Sequence, residues 1–408
     1  MTTPMALAGL KVLDLSRILA GPYAAQTFAD LGADVVKVET PSGGDDTRKW
    51  GPPFMTNADG SRDDAAYFSA CNRNKRSVTI DFSTEAGAGL VRKLAAQADI
   101  LVENFRPGSL AKYGLDYASI EALNPGVIYC SITGFGQDGP YAHRSGYDFL
   151  IQGMGGLMSI TGQPDEVDGG APVKVGVAVC DLFTGMFAAN AALAALAYRH
   201  KTGKGQHIDC ALLDSQIAML ANQSANWLNA GICPGRMGNS HPSVVPYTVY
   251  RAQDGFLIVA CGNDQQFTRL TAALGCSGLA TDEAFSTNEA RILNRDRLDA
   301  ELGRIIGGMS RASVIALLDK AAVSCGPINS IEEVFADPHV IARGAQVEQI
   351  RDDGSRVSST AYAAKLGRTP AQYRRPPPRL GADNASVLDE WAGLSADDIA
   401  ALQRDGVI

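Results

Sequence analysis

The chain has 408 residues, which is more than one hydrophobic core usually spans and predicts two domains. Apolar residues make up 46% of it and charged residues 20%, values typical of ordinary globular proteins. The net charge is −8, and the sequence contains no basic block. Both observations argue against nucleic acid or an anionic membrane as the main partner.

The first elements follow an N-terminus that lacks the charged and long apolar regions of a secretory signal. From there to residue 133, strand patterns alternate with helical patterns, which predicts a parallel, doubly wound sheet. The predicted strands are 10–14, 33–39, 99–104 and 126–133, and the predicted helices are 21–31 and 84–97. A polar, Gly-, Asp- and Pro-rich stretch between the second strand and Phe68 predicts a long loop that lines a site.

The second half of the chain continues with a small-residue helix predicted over 181–200, which the sequence TGKGQ ends. A second helical pattern covers 212–228. Strand patterns at 245–250 and 256–260, with helical patterns at 264–274 and 312–320, predict a smaller α/β domain. No run approaches eighteen uninterrupted apolar residues, so no membrane span is expected.

The eight cysteines are scattered singly, and no C-x-x-C pair occurs. This spacing favours buried, reduced thiols in a cytoplasmic enzyme over a zinc site or a disulfide framework. The five histidines also lack metal-binding spacing, so we expect no metal.

The turn after the first predicted strand reads DLSRILAGP. It lacks the pattern G-x-G-x-x-G, so a dinucleotide on this turn is not expected. Glu39, at the end of the second strand, superficially fits a ribose-binding acid. Without those glycines, an exposed strand-end carboxylate is the better interpretation.

Three further segments are candidates for binding a ligand or for covering a site. The turn GFGQDGP at 134–140 has three glycines and a proline, which is typical either of close contact with a ligand or of a plain loop. The charged segment 72–76 suits a phosphate or a solvated turn equally. The loop 236–242 has the composition of a mobile flap, and a solvated side chain is the commoner role for its His241.

Asp181 precedes the Ala-rich helix at the position of an N-cap, where free N–H groups and the helix dipole favour an ionised carboxylate. Such a carboxylate is available as a nucleophile toward a thioester or an activated acyl group. Capping without catalysis is the commoner function of an aspartate in this place, and the residues alone leave both open.

Taken together and in order, these segments resemble the class III CoA-transferases, the family of formyl-CoA transferase and carnitine CoA-transferase. The matching segments are KVLDLSRILAGP, LGADVVKVE, GDDTR, NRNKRS, VENFRPG, GFGQDGP with SGYD, PVKVGVAVCD and TGKGQHIDCALLDS. They run from near residue 7 to the tail RRPPPRLG, so the resemblance covers essentially the whole chain. It implies that Asp181 is the catalytic aspartate.

The resemblance implies an α/β fold in which two ring-like subunits interlock as a homodimer. The large Rossmann-like domain would consist of residues 1–225 and 326–408, with the smaller α/β domain at 226–325 between them. Coenzyme A would be bound as a thioester substrate, with no tightly bound cofactor. The CoA contacts carried over are Ile18, Leu19, Ile80, Asp81, Asn104, Phe105, Arg106 and Lys112, and the substrate contacts are Tyr147, Asp148, Gly238 and Asn239.

The activity that the resemblance implies is transfer of CoA between small carboxylic acids through a covalent intermediate on Asp181. The turn at Ile18 and Leu19 would stabilise the oxyanion of each step. The segments GDDTRKWGPPF, GLMSITG, SVVPY, GNDQQF and GPINSIEEVFADP are similar to the succinate–hydroxymethylglutarate (succinyl-CoA:glutarate) type, which moves CoA between dicarboxylates. The candidates for binding the far carboxylate are Arg17, Arg48 and Arg144.

Two alternatives remain at this point. The α-methylacyl-CoA racemases share the fold, and they need two acid/base groups that flank the α-carbon. They resemble G-H-D where this chain has Gly146-Tyr147-Asp148, and tyrosine is a poor base near neutral pH, which favours a transferase. The second alternative is a CoA-binding protein without catalysis, and the presence of Asp181 counts against it.

Overall fold

The computed structural model describes residues 4–408, which form two compact units. The large unit comprises the described residues up to Leu157 together with Val175–Gly231 and Ile341–Ile408. The small unit comprises Met158–Lys174 and Ile232–Val340. Each unit has a hydrophobic core of its own.

A parallel sheet organises the large unit. The strands among the described residues are β1 (Lys11–Asp14), β2 (Asp34–Glu39), β3 (Phe54–Thr56), β4 (Arg62–Ala65), β5 (Lys75–Thr79), β6 (Ile100–Glu103), β7 (Ile128–Thr133), β8 (Gln206–Ala211), β9 (Tyr247–Ala252), β10 (Gly255–Ala260), β11 (Ser324–Pro327), β12 (Gln346–Ile350) and β13 (Arg356–Thr360). Within the described residues, six strands pair in parallel in the order β5–β2–β1–β6–β7–β8. This confirms the predicted doubly wound sheet. The order changes direction between β1 and β6, where sheets of this kind have a ligand crevice at the carboxyl ends of the strands.

Helices cover both faces of this sheet. The α-helices in the part of the chain that the structure describes are α1 (Ala20–Asp30), α2 (Ala66–Ser69), α3 (Glu85–Ala95), α4 (Tyr117–Leu123), α5 (Asp148–Met154), α6 (Val179–Thr202), α7 (Leu212–Met219), α8 (Asn222–Ala230), α9 (Asp264–Ala273), α10 (Gly278–Thr281), α11 (Asn288–Leu293), α12 (Arg295–Gly307), α13 (Arg311–Lys320), α14 (Ile331–Ala336), α15 (Pro338–Ala342), α16 (Asn384–Ala392) and α17 (Ala396–Arg404). The single helix predicted over 212–228 is wrong, because the chain breaks between α7 and α8. Ala221 has a φ of 46° at the break, which a continuing helix does not allow.

Consecutive residues of a strand point to opposite faces of its sheet, and this divides the core of the large unit in two. Val12 belongs to the core on the side of α1 and α6, where Phe28 is fully buried. Leu13, the next residue, belongs to the core on the side of α3 and α16, which buries Trp391. Burial of one such large side chain stabilises the fold by about 1.5–3 kcal/mol.

Helix α6 supports the sheet and carries Asp181 in its first turn. It packs against α1, with Ala188, Ala192 and Ala195 buried in the shared core. By length and composition alone, α6 is the one helix among the described residues that could cross a membrane. Core helices of globular proteins commonly meet the same criterion, and the finding goes no further than that.

The charged segment Asn72–Arg76 is buried, so both interpretations considered for it, a phosphate site and a solvated turn, are wrong. Lys75 Nζ lies 2.9 Å from Asp14 Oδ2, with both side chains fully buried. The guanidinium of Arg73 pairs with Asp30, and that of Arg76 with Asp34. Because these carboxylates neutralise the cations, the charged side chains can be buried. Lys75 and Arg76 are accordingly the first two residues of β5, a buried strand at one edge of the sheet.

Glu39 is also buried, so the expected exposed carboxylate is wrong. Its carboxylate accepts hydrogen bonds from the guanidinium of Arg48 at 2.6 and 2.7 Å and from Ser77 Oγ at 2.7 Å. Arg48 lies in the stretch predicted as a long loop. That stretch contains a short turn of 3₁₀ helix at Asp46–Arg48 and the antiparallel hairpin of β3 and β4.

The small unit is built on the antiparallel sheet β11–β10–β9. Helices α9, α12 and α13 bury Phe267, Leu302 and Leu318 in its core. The eight cysteines of the chain all lie within residues 4–408 and are free thiols. Five are buried as expected, whereas Cys233 in this unit is exposed.

Candidate active site

A cleft of about 420 Å³ lies in the large unit at the carboxyl ends of β1, β6 and β7. This is the position at which the strand order changes direction, and therefore the expected ligand site of such a sheet. Its walls are the turn after β1, the segment after β6, the end of β7, and the segment that leads into α5. The lining residues are 17–20, 104–107, 109, 132–134, 144–148, Asp181 and Leu212.

Asp181 lies in this cleft, half-buried, in the first turn of α6. It is not the N-cap that the sequence suggested, because α6 begins two residues earlier at Val179. Asp148 supplies the capping carboxylate instead. Its Oδ1 accepts the backbone N–H groups of Cys180 at 2.7 Å and Asp181 at 3.3 Å. Among the described residues, the Asp181 carboxylate itself has no hydrogen-bond or ion-pair partner.

Burial raises the pKa of Asp181 to about 7, and the nearby negative charge of Asp148 adds to the increase. The expectation that the helix N-terminus keeps Asp181 firmly ionised is therefore wrong, since the N–H groups concerned already bind Asp148. A carboxylate with a pKa near 7 is a stronger nucleophile than an ordinary aspartate, and near neutral pH a large fraction of it is still ionised.

Asp148 is held on both sides. Gln152 Nε2 donates to Asp148 Oδ2 at 2.6 Å, and Gln152 Oε1 accepts the backbone N–H of Val175 at 2.8 Å. The carboxylate of Asp148 thus joins the first turn of α5 to the first turn of α6. Sequence reasoning named Asp148 as a substrate contact and missed this capping role, because the partners lie 32 and 33 residues away in the chain.

Gly134 and Gly146 touch each other backbone to backbone at the wall of the cleft. A Cβ added to Gly134 would lie 2.5 Å from the Cα of Gly146, and one added to Gly146 would lie 2.3 Å from the Cα of Gly134. The close approach at the glycine-rich turn is therefore made by the chain itself. It fixes the residue before Tyr147, whose exposed ring lines the cleft.

Five of the eight residues carried over as CoA contacts line the cleft: Ile18, Leu19, Asn104, Phe105 and Arg106. The other three, Ile80, Asp81 and Lys112, do not. Their chain neighbours reach a residue of the cleft wall: Phe82 packs edge-on against Phe105, and also against Tyr113, at 5.6 Å between ring centroids.

The arginines considered for a far carboxylate differ in their partners. Arg48 is buried and binds Glu39, Asp64 and the carbonyl oxygen of Pro378, so it is not available to a substrate. Arg17 lines the cleft, with Nη1 3.4 Å from Asp46 Oδ2. Arg144 also lines the cleft. Its guanidinium lies over the rings of Phe135 and Tyr141 and has no carboxylate partner among the described residues.

Gly238 and Asn239 belong to the small unit, where the backbone N–H of Gly238 donates to the carbonyl oxygen of Gly162 at 2.9 Å. Their role as substrate contacts stays a prediction. Within residues 4–408, no group of three or more His, Cys, Asp and Glu side chains is placed to hold a metal ion.

Comparison with known proteins gives a consistent result. The sequence profile described as CoA-transferase family III matches residues 7–384. A succinate–glutarate CoA-transferase of Agrobacterium fabrum is 50% identical over 94% of this chain and 95% of its own length. A succinyl-CoA:glutarate CoA-transferase of Mus musculus is 40% identical over 98% of this chain and 90% of its own length. The crystal structure of a CAIB/BAIF family protein from Brucella suis has a TM-score of 0.85 and 50% sequence identity, covering 95% of this chain and 100% of that one.

Proposed function

Because this chain belongs to CoA-transferase family III and is an enzyme that transfers coenzyme A, we propose that it moves CoA from succinyl-CoA to a dicarboxylate through a covalent intermediate on Asp181. The observation that carries this proposal is the unpaired Asp181 carboxylate in the cleft, with its pKa raised to about 7. A carboxylate that only stabilised the fold would have hydrogen-bond partners. This one has none among the described residues and faces the space that a substrate would enter.

The proposed reaction has four steps. Asp181 attacks the thioester carbonyl of succinyl-CoA, and the C–S bond breaks to give a mixed anhydride and CoA thiolate. The thiolate attacks the Asp181 carbonyl, which releases succinate and forms an aspartyl–CoA thioester. The acceptor carboxylate attacks that carbonyl and expels the thiolate. The thiolate then attacks the acceptor acyl carbon of the second anhydride, which yields the new acyl-CoA and regenerates Asp181.

Each step passes through a tetrahedral oxyanion that needs a donor. The turn at Ile18 and Leu19 was the candidate, and its two N–H groups differ. The N–H of Ile18 already donates to Asp45, at 3.1 Å from Oδ2. The N–H of Leu19 has no partner among the described residues and stands at the N-terminus of α1. We therefore assign the oxyanion to the N–H of Leu19, where the helix dipole also favours negative charge.

The dicarboxylate preference is proposed from two lines of support. Both relatives reported above are named for CoA transfer that involves succinate or succinyl-CoA and glutarate. Arg144 supplies an unpaired guanidinium at the same cleft, which suits a carboxylate at the far end of the acyl chain. Aromatic rings beneath it hold its plane in place.

The interlocked homodimer is proposed because the large unit leaves apolar side chains exposed. Phe183, Met186 and Phe187 on α6 are 43–47% exposed, and Leu228 on α8 is 76% exposed. An apolar cavity of about 360 Å³ lies beside the α6 side chains. Exposed apolar groups of this extent are typical of surfaces that a partner covers.

A racemase of the same fold remains the less favoured activity. It would need a base across the α-carbon from Asp181. Tyr147 stands where those enzymes have histidine, and a phenol is a poor base near neutral pH. Incubation of a 2-methylacyl-CoA in heavy water separates the two activities, because deuterium enters the α-position only if a racemase acts.

The covalent mechanism is tested by trapping. Wild-type protein given succinyl-CoA and then hydroxylamine should be modified at one peptide, the one containing Asp181, as read by mass spectrometry. Asp181→Asn removes the attacking oxygen and should lower transfer by several orders of magnitude while the protein still binds CoA. Near-normal transfer by Asp181→Asn, or a label on a different carboxylate, would contradict the mechanism.

A further inference from the structure

The turn between β1 and α1 has an unusual backbone. Ile18 has a φ of 72°, in the left-handed region that β-branched residues almost never adopt. Such a conformation persists only where the surrounding structure determines it, and it occurs most often at functional sites. Ile18 and the next residue, Leu19, both line the cleft that contains Asp181.

Side chains from three other segments bind the backbone of this turn. The carbonyl oxygen of Ser16 accepts from Lys37 Nζ at 2.7 Å. The backbone of Arg17 is bound at both its N–H and its carbonyl oxygen by Asn104. The N–H of Ile18 donates to the carboxylate of Asp45. The backbone N–H of Leu19 is the first one after them without a partner among the described residues.

Asn104 is suited to this task by its amide. Its Oδ1 accepts the N–H of Arg17 at 2.9 Å, and its Nδ2 donates to the carbonyl oxygen of Arg17 at 2.7 Å. Asparagine offers an acceptor and a donor side by side, as a backbone peptide group does in a sheet. Both ends of the amide are therefore already bound within the chain. This differs from the role carried over to Asn104, a contact with CoA.

Asp45 holds the next residue of the turn from a buried position. Its carboxylate lies 2.9 Å from Lys37 Nζ and accepts the N–H of Thr47 at 2.9 Å. Burial alone would raise the pKa of Asp45, but Lys37 outweighs it and the pKa falls to about 2. The carboxylate is therefore an ionised acceptor for the N–H of Ile18 throughout the physiological range.

We propose that Asn104 and Asp45 are positioning residues for transfer, which hold the Arg17–Ile18 backbone so that the N–H of Leu19 faces the reacting carbonyl group. The inference rests on the proposed assignment of the oxyanion to Leu19. Asn104 acts through Arg17, and Asp45 acts through Ile18. Neither side chain needs to touch CoA for this purpose.

The test uses Asn104→Leu, which keeps a similar volume and removes both hydrogen bonds, and Asn104→Asp, which keeps only the acceptor. We expect kcat for transfer from succinyl-CoA to fall by roughly 100-fold or more, as for loss of an oxyanion donor. The Kd of CoA, measured by calorimetry, should change less than about threefold. Single-turnover formation of the hydroxylamine-trapped adduct should slow by the same factor as kcat.

Asn124→Leu is the matched control. Asn124 also donates from Nδ2 to a carbonyl oxygen, that of Ala98 at 2.8 Å, and accepts a backbone N–H, that of Gly126 at 3.2 Å. It does so just before β7 begins, at the amino end of a strand whose carboxyl end lines the cleft. Its loss should lower the Tm while kcat stays near the wild-type value.

The outcomes are distinct. A weaker Kd of CoA with unchanged kcat in either Asn104 variant would mean that Asn104 contacts CoA, and it would overturn the positioning role. A folded Asn104 variant with wild-type kcat would overturn it as well. If Asn104→Leu does not fold, Asn104→Asp decides by the same comparison. Failure of wild-type protein to transfer from succinyl-CoA would instead contradict the proposed function.

Discussion

The carboxylate of Asp148 caps the helix on which Asp181 lies, and it binds the backbone N–H of Asp181 itself at 3.3 Å. Two like charges thus share one helix end. The charge of Asp148 is stabilised by hydrogen bonds from backbone N–H groups and from Gln152, whereas the carboxylate of Asp181 has no partner among the described residues. Asymmetry of this kind separates the roles of two neighbouring carboxylates. Asp148 organises the site, and Asp181 is the one free to react.

The first prediction concerns the pH dependence of transfer. Asp181 must be ionised to attack, and its pKa is raised to about 7 by burial and by Asp148. We expect kcat/KM to rise about tenfold per pH unit below that value and to level off above it. Initial rates between pH 5 and 9, with checks of protein stability at each pH, would measure this. A profile that is flat down to pH 5 would contradict the raised pKa.

The second prediction uses Asp148→Asn. Removal of the negative charge takes away the second cause of the raised pKa, while the amide oxygen can still accept the N–H of Cys180. The acidic limb of the kcat/KM profile should therefore move to lower pH. Asp148→Ala, which removes the cap as well, should reduce kcat further. An unshifted limb in a folded Asp148→Asn variant would show that burial alone sets the pKa.

The third prediction concerns stability. The pKa of Asp181 is higher in the folded protein than the ordinary value of 3.8, so the folded state binds this proton more tightly. Ionisation of Asp181 therefore destabilises the fold, increasingly from about pH 4 to pH 7. At pH 8, Asp181→Asn should increase the free energy of unfolding by about 1–4 kcal/mol and so raise the Tm. Near pH 4 it should leave the Tm unchanged. An equal change at both pH values would point to a different cause.

The fourth prediction concerns Arg144. Arg144→Gln removes the unpaired guanidinium, and we expect the KM for glutarate to rise by about 10- to 100-fold, as for loss of a charge-assisted hydrogen bond. The KM for a monocarboxylate of equal length should change little, because it lacks the far carboxylate. Arg297→Gln, on an exposed face of the small unit, is the control. Equal losses for both acids would move the role to Arg17 or to CoA binding.

The fifth prediction concerns assembly. An interlocked homodimer should scatter light as twice the chain mass of 42.9 kDa, and its subunits should not exchange. Two preparations with different tags, mixed for days under native conditions, should give no mixed dimer. Mixed dimers should form after the preparations are unfolded together and refolded. A folded monomer at micromolar concentration would contradict the proposed assembly.

The sequence predicted four of the six strands of the parallel sheet, because apolar strand patterns such as 33–39 and 126–133 are strong local signals, whereas β5 and β8 were not predicted. It failed at Asn72–Arg76, since five polar residues in a row indicate a surface unless their partners are known. Those partners, Asp14, Asp30 and Asp34, precede the segment by about 40 residues or more and are brought to it only by the fold.

The candidate site shows the same division. Asp181 and the turn at Ile18 could be named from sequence with the help of the family resemblance. The raised pKa of Asp181 could not, because it depends on burial and on a capping carboxylate that comes from α5. The occupation of the N–H of Ile18 by Asp45 was likewise hidden, since neither residue type predicts that contact.

The burial and charge of Lys37 affect its susceptibility to acylation by the substrate. Succinyl-CoA, the proposed donor, acylates unprotonated lysine amines without any catalyst, and Lys37 binds the turn beside the cleft. Its side chain is fully buried, and although burial would lower its pKa, Asp45 and Asp14 outweigh that effect and raise it. A protonated, enclosed ammonium group has no lone pair to offer. Lys37, which binds the turn between β1 and α1, is therefore protected from acylation by succinyl-CoA.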